Sequence, residues 1–358
     1  MRTNIAVMVT GIGGGGHGEQ ILKALRMSPT SYEIVGCDMS PLSKGLMEVD
    51  HAYVVPPASD SAYVPRLLDI CGKHHVKAVF HGSEAELVVM SRERDRFRKA
   101  GILLPINPKR VIDLCMDKWE TAKFLVQNGF NCPKTVRVVS RDDLKEIEFL
   151  PAVLKPSTGT GGSFNTFLAQ TRRELLLLGE YLLNYQNNFI VQQYMGRHDA
   201  EYTVGVLLSM EGQLINSIAV KRNLDASLSV RMKVRNLTGD SSLGSILAIS
   251  SGISQGEIKR FPEVTSFCEK IAVRLGCRGA VNFQCRLVDK TPYVFEINPR
   301  FSGTTSLRAM VGYNEPDILI RMHVLGENPK RWFHYRDGVI LRGLQESFVE
   351  IGEQELLR

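Results

Sequence analysis

A carboxylate, three amides and a guanidinium stand at short, regular spacing near residue 290. The segments are Asn282-Phe283-Gln284 and Glu296-Ile297-Asn298-Pro299-Arg300, and two β-rich runs flank Asp289-Lys290-Thr291 between them. Such runs around a short loop predict a hairpin. Pairing centred on Lys290 sets Gln284 opposite Glu296 and Asn282 opposite Asn298, and residues two apart on a strand share a face. Gln284, Glu296 and Asn298 then project together, as three hard oxygen donors of the kind magnesium takes when phosphates fill its other positions. Pro299 biases Asn298 toward extended backbone, which keeps it in that row. One carboxylate with two amides leaves much of the cation's charge to neutralise a triphosphate. Arg300 adds a planar fork of donors for an anion beside the metal. The plain alternative is a surface hairpin with a wet polar face. Against it, Phe283, Val294, Phe295 and Ile297 predict burial, and a buried Glu296 without a cation would be costly.

Other groups suit the same chemistry. Lys155 ends the strand-like run 151–156 and precedes a loop, Ser157-Thr-Gly-Thr-Gly-Gly-Ser163. The backbone of Gly159, Gly161, Gly162 and Ser163 could approach phosphate oxygens closely. It is not a Walker loop, because the lysine comes before the glycines and a strand follows. Lys118 stands in Met116-Asp-Lys-Trp-Glu120, where an ordinary exposed helix lysine would serve equally well. The strand ending Gln193-Tyr194-Met195 could offer backbone to an adenine, and Glu201 could meet a ribose or a cation; ordinary sheet structure explains both. Lys221, Arg222, Arg231, Lys233 and Arg235 form a basic set that reads either as a substrate-anion site or as a solvated loop.

The elements that position these residues fall into two parts. From Ile5 to Leu104, strand-like and helical runs alternate, which implies a parallel sheet covered by helices. The first strand runs into Gly11-Ile-Gly-Gly-Gly-Gly-His-Gly18, with Asp38 twenty residues on. That is a dinucleotide-type turn, whose alternative use is tight β–α packing. Helices are expected over 84–99 and 109–129, and Pro105 and Pro108 mark a break. The expected division is 1–108 and 109–358, with a lid region over about 133–195 and a metal-binding region over about 196–358. Beyond Glu201 the strands lengthen and alternate, as antiparallel sheets do.

Composition limits the remaining classes. Forty-four basic and 38 acidic residues give a net charge of +6, with no concentrated basic run. Diffuse excess of this kind suits anionic small molecules better than nucleic acid. Seven cysteines, odd in number and without C-x-x-C spacing, suggest neither disulfides nor a zinc site. No apolar run reaches membrane-spanning length. A soluble, cytoplasmic protein is expected.

With Lys118, Lys155, the glycine loop, Glu201, Gln284 and Glu296-Ile-Asn-Pro-Arg300 in this order, the chain resembles the ATP-grasp superfamily. It is most similar to one half of the carbamoyl-phosphate synthetase large subunit, and more loosely to biotin carboxylase. The resemblance covers nearly the whole chain. It implies an ATP-grasp fold, α/β with an α+β C-terminal part, behind an N-terminal Rossmann-like domain. It further implies that Lys118, Lys155 and the loop from Gly159 to Ser163 contact ATP phosphates, that Gln193, Tyr194 and Met195 hold adenine, and that Glu201 lies near the ribose. Gln284, Glu296 and Asn298 would hold two magnesium ions, with manganese able to substitute, and Arg300 would stabilise an acyl phosphate. The chain has one synthetase module and no glutaminase segment, so the expected activity is that of a stand-alone ligase joining a small-molecule carboxylate to an amine. A homodimer fits the resemblance. The rivals are a carboxyphosphate-forming carboxylase, a non-catalytic ATP sensor and a nicotinamide dehydrogenase built on the glycine turn.

Overall fold

The structure, a computed structural model, describes residues 4–159, 164–186 and 188–347. The first elements are β1 (Ile5–Thr10), α1 (His17–Arg26), β2 (Tyr32–Asp38), β3 (His51–Val54), α2 (Tyr63–Lys73), β4 (Ala78–Phe80), α3 (Glu84–Arg92) and α4 (Arg94–Lys99). The strands pair in parallel in the order β3-β2-β1-β4. Alternation along them fills both faces: Val7, Val9 and Ile34 pack with α1, while Met8, Val35 and Val79 pack with α2 and α3.

Two expected helices are broken, each for a local reason. The run over 109–129 forms α5 (Lys109–Cys115) and α6 (Lys118–Gln127). Asp117 between them adopts an extended backbone and accepts from Trp119 N–H at 2.9 Å, so it caps α6. The break places Lys118 in the first turn of a new helix, facing the central pocket. The run over 84–99 is likewise divided, at Glu93.

Next come β5 (Thr135–Val138), α7 (Arg141–Lys145), β6 (Ala152–Pro156), β7 (Phe167–Ala169), α8 (Arg172–Leu183) and β8 (Phe189–Gln193). They form an antiparallel sheet of order β5-β8-β6-β7, whose apolar face packs on α7 and α8 through Leu144, Leu154, Leu175 and Phe189. Gly161, Gly162 and Ser163 lie outside the described residues, while Gly159 lies within them at φ +76°.

The remainder holds β9 (Glu201–Leu208), β10 (Leu214–Arg222), β11 (Val230–Arg235), β12 (Ile246–Ser250), β13 (Gly256–Lys259), α9 (Pro262–Leu275), β14 (Gly279–Val288), β15 (Thr291–Asn298), α10 (Thr305–Met310), α11 (Glu315–His323) and β16 (Gly338–Ile340). Six of these strands make an antiparallel sheet of order β15-β14-β9-β10-β13-β16, and β11 and β12 make a separate ribbon. One face of the large sheet, including Tyr202, Val204, Val281, Phe283 and Cys285, is buried against α9. The pleat therefore turns Glu201, Thr203, Asn282, Gln284 and Arg286 to the other face, where the pocket lies. A core cluster containing Val9 and Phe80 of the parallel sheet also contains Leu207, Val220 and Phe301, so the two parts share one interior. No helix among the described residues is long and apolar enough to cross a membrane.

Candidate active site

The hairpin β14–β15 turns through Asp289-Lys290, both at positive φ (+47° and +64°), with Val288 paired to Thr291. This two-residue turn suits the right-handed twist of the strands. Continued regularly, it would set Gln284 opposite Phe295 and turn Glu296 and Asn298 into the α9 face. A bulge prevents that. Cys285 pairs with Val294 but Gln284 pairs with Glu296, so Phe295 is the extra residue. Gln284, Glu296 and Asn298 all line the pocket. The expected facing is correct, although the three-residue loop assumed for it is not: the shorter turn and the bulge offset each other.

Phe295 organises Lys155. Lys155 Nζ donates to the Phe295 carbonyl at 3.3 Å and lies 5.4 Å from the centre of its ring. Lys155 is buried, and burial lowers its pKa to about 8, with Lys118 acting in the same direction and Glu296 against it. Burial alone would raise the Glu296 carboxyl, but Lys118, Lys155, the Asn298 hydrogen bond and Arg300 outweigh it and hold the carboxyl below its usual range. Asn298 Nδ2 donates to Glu296 Oε1 at 3.0 Å. An ionised carboxylate beside two amide side chains, in a pocket edged with lysines, fits a hard cation that also carries phosphates. Lys118 N–H donates to the Ser157 carbonyl at 2.9 Å, joining α6 to the strand end that carries Lys155.

Gln193, Tyr194, Met195 and Glu201 line the same pocket. Part of the backbone there is already engaged: Tyr194 N–H donates to Pro151 O at 2.9 Å, and Met195 O accepts from Arg286 at 3.2 Å. Glu201 is 1% exposed and sits between two guanidinium groups. Arg286 donates to Oε2 through Nε and Nη2 at 3.0 and 2.9 Å, and Arg222 Nη1 lies 3.3 Å from Oε1. Arg286 also stacks on Tyr194, at 4.3 Å, and donates to Ala248 O. In this arrangement Glu201 anchors arginines that tie the 193–195 segment to β9 and β12.

The basic set does not converge. Arg222 alone lines the pocket, and its guanidinium is occupied by the carbonyls of Ser229, Ser251 and Ile253. Lys221 is one residue out of phase and shares the α9 side of the sheet with Ala219. Arg231 points outward from β11, opposite to Met232 and Val234. Strand parity thus places Lys221 and Arg231, expected at a substrate-anion site, off the lining of this pocket.

Arg300 has neighbours that sequence reasoning missed. Its Nη2 and Nε donate to Glu84 Oε1 at 2.8 and 3.3 Å, its Nη1 to Phe301 O at 2.9 Å, and Nη2 also to Asn298 Oδ1 at 3.1 Å. Close by, His17 Nε2 and His81 Nδ1 are 3.1 Å apart and buried. Burial, together with Arg300, holds both imidazoles neutral, with His81 pushed down to about 3. His81 Nε2 has no hydrogen-bond partner. The available signal was position, since His81-Gly-Ser-Glu84 follows the carboxyl end of β4, where α/β sheets gather functional groups.

The glycine turn has a packing role. A Cβ at Gly18 or Gly82 would overlap the carbonyls of Thr10 and Gly11. Asp38, the residue a dinucleotide ribose would need, accepts from Gly13 N–H at 2.8 Å and Ser40 N–H at 2.9 Å. Its carboxylate closes the loop.

Comparisons with known proteins agree with this fold. The ATP-grasp domain model matches residues 115–304, just over half of the chain, and a PylC-like N-terminal domain model matches residues 9–105. The carbamoyl phosphate synthase large chain of Thermoplasma volcanium is 24% identical over 313 residues, which are 80% of this chain but 28% of that protein. Among solved structures, the biotin carboxylase domain of the Hydrogenobacter thermophilus 2-oxoglutarate carboxylase has a TM-score of 0.62 at 15% identity, covering 93% of this chain and 72% of its own. The L-amino acid ligase of Bacillus licheniformis has a TM-score of 0.60 at 16% identity, covering 90% and 74%. The D-alanine–D-alanine ligase of Bacillus anthracis has a TM-score of 0.53 at 15% identity, covering 90% and 98%. At such identities the structures speak to fold, which is shared throughout. On the extent of the family match, the chain belongs to the ATP-grasp family.

Proposed function

We propose that this chain is an ATP- and magnesium-dependent ligase that activates a substrate carboxylate as an acyl phosphate and couples it to an amine, releasing ADP and phosphate. One observation carries the reading: Gln284, Glu296, Asn298, Lys118, Lys155 and Arg300 line a single pocket. Gln284, Glu296 and Asn298 would hold magnesium, which supplies Lewis-acid neutralisation of the triphosphate. Lys155, held from behind by the Phe295 carbonyl, places its ammonium against the transferring phosphoryl oxygens. Lys118 adds a second charge on the same side. Arg300, fixed by Glu84, offers charge where the acyl phosphate forms.

In the first step a carboxylate oxygen bonds to the γ-phosphorus as the β–γ bridge to ADP breaks. In the second the amine attacks the acyl carbon, phosphate leaves, and the amine gives up a proton. The ligases among the solved neighbours support the amine as acceptor.

A second reading has one supporting observation. The biotin carboxylase neighbour is described with MgADP and bicarbonate, which supports carboxyphosphate formation as the alternative first step.

ADP release from MgATP across a panel of carboxylates, with and without pooled amines and with a bicarbonate-only sample, tests the proposal. Release that requires both an acid and an amine supports the ligase. Release with bicarbonate alone replaces it by the carboxylase, and ATP binding without release across the panel contradicts both.

A further inference from the structure

A second charged groove lies apart from the catalytic pocket. It has a volume of about 610 Å³ and is lined by Arg92, Arg94, Lys109, Arg110 and Arg278, with Asp95 and Glu211 at its edges. The acids do not balance the bases. Asp95 pairs with Arg98 at 3.0 Å and Lys109 with Asp113 outside the lining, which leaves Glu211, close enough to feel the Arg278 charge, as the one lining acid without an arginine partner elsewhere, against Arg92, Arg94, Arg110 and Arg278. Among the described residues, no carboxylate forms an ion pair with Arg92, Arg94, Arg110 or Arg278. Arg94 is satisfied by the carbonyls of Ile106 and Asn107. Burial and the neighbouring Arg278 lower its pKa, with Asp95 acting against them but not outweighing them. Gly276 makes room for this set, since a side chain there would overlap the Arg110 guanidinium.

We infer that this groove is a binding site for a diphosphate group, either free or carried by a nucleotide. Guanidinium forks match phosphate oxygens in pairs, and a compact polyanion supplies the countercharge that the wall lacks. The groove is also wired to the catalytic hairpin. Asn107 is fully buried, accepts from Arg278 N–H at 2.8 Å, and donates to Ala280 O at 2.9 Å and Pro299 O at 3.0 Å. Its own carbonyl accepts from Arg94. One residue thus joins the Arg94 guanidinium, through its carbonyl, and the Arg278 backbone, through its side chain, to the Pro299 carbonyl between Asn298 and Arg300, so an anion in the groove bears on the strand that carries the catalytic groups.

The test is calorimetric titration of inorganic pyrophosphate into the full chain in EDTA, with ADP titrated in parallel. The wild-type chain and Lys155→Ala should both take up pyrophosphate at one groove site. Arg110→Gln and Arg278→Gln, each at an exposed position, should bind it about tenfold or more weakly, the loss expected for one charged hydrogen-bonding group. A groove-dependent ADP isotherm tighter than that of pyrophosphate assigns the site to a nucleotide; an equal or weaker one assigns it to the free anion. No uptake by the wild-type chain, or uptake unchanged in both arginine variants, would overturn the proposal. Uptake lost only in Lys155→Ala would do the same, by placing the anion in the catalytic pocket.

Discussion

Glu84 at the start of α3 and Arg300 just beyond β15 are 216 residues apart in sequence, yet Oε1 of one lies 2.8 Å from Nη2 of the other. The N-terminal part thus supplies the anchor for the arginine assigned to the acyl phosphate. The side chains are 22% and 13% exposed, so water screens this pair less than a surface ion pair. Glu84→Gln is expected to lower kcat by about a hundredfold through misplacement of the guanidinium, with KM for ATP little changed. Steady-state kinetics separates the two. An equal loss in ATP affinity would mean that Glu84 supports the whole pocket.

The turn of the hairpin offers a stability test. Lys290 at φ +64° occupies a conformation that glycine adopts without a Cβ penalty. Lys290→Gly should stabilise the chain by about 1 kcal/mol, since a left-handed residue costs about that much. Urea unfolding measures the difference, and an unchanged midpoint would mean that the turn is not strained.

That hairpin also shows what the sequence discloses. Gln284, Glu296 and Asn298 were legible because hard donors two apart on a strand must share a face. The turn was not, since Asp289-Lys290 lacks the glycine that announces a two-residue loop, and a bulge leaves no mark in composition. The parallel first sheet was visible in alternating apolar runs. The break at Asp117 was visible only as a capping residue inside a helical pattern. Lys221 and Arg231 were grouped by charge, and pleat parity separates them. Glu84 and His81 escaped notice because their partners are distant in sequence, and only the fold brings them to Arg300.

The buried histidines predict an acid-sensitive fold. His17 and His81 have lowered pKa values in the native state, through burial and Arg300, whereas unfolded histidine titrates near 6.5. The unfolded chain therefore binds more protons below that value. Their stabilising contribution is present above about pH 6.5 and is lost as pH falls toward the native values. His81, with its native value near 3, should account for about 2 kcal/mol of the stability lost between pH 7 and pH 5, and His17 acts in the same direction. His81→Gln should flatten that slope in urea unfolding, and a slope identical to wild type would contradict the assignment.

Beside Asn282 lies an ion pair with almost no exposure. Arg308 donates to Glu315 Oε1 and Oε2 at 2.9 and 3.2 Å and to Asn282 Oδ1 at 2.6 Å, and the last also accepts from Thr203 at 3.0 Å. A side chain at Gly205 would overlap the Arg308 guanidinium, so glycine is required there. Glu315→Ala leaves a buried charge uncompensated and should destabilise by about 3–5 kcal/mol. Chemical denaturation checks this, and a loss below about 1 kcal/mol, as for a surface pair, would refute it.

The central claim is that a substrate carboxylate is phosphorylated before the amine arrives. Isotope transfer tests it most directly. An acid identified in the ADP-release panel is labelled with 18O in its carboxylate, and the phosphate formed during amide synthesis is examined by mass spectrometry. The account predicts that every phosphate released carries one oxygen from the acid, and that Glu296→Ala releases none. Phosphate free of label while amide accumulates, or formation of AMP and pyrophosphate, would contradict it.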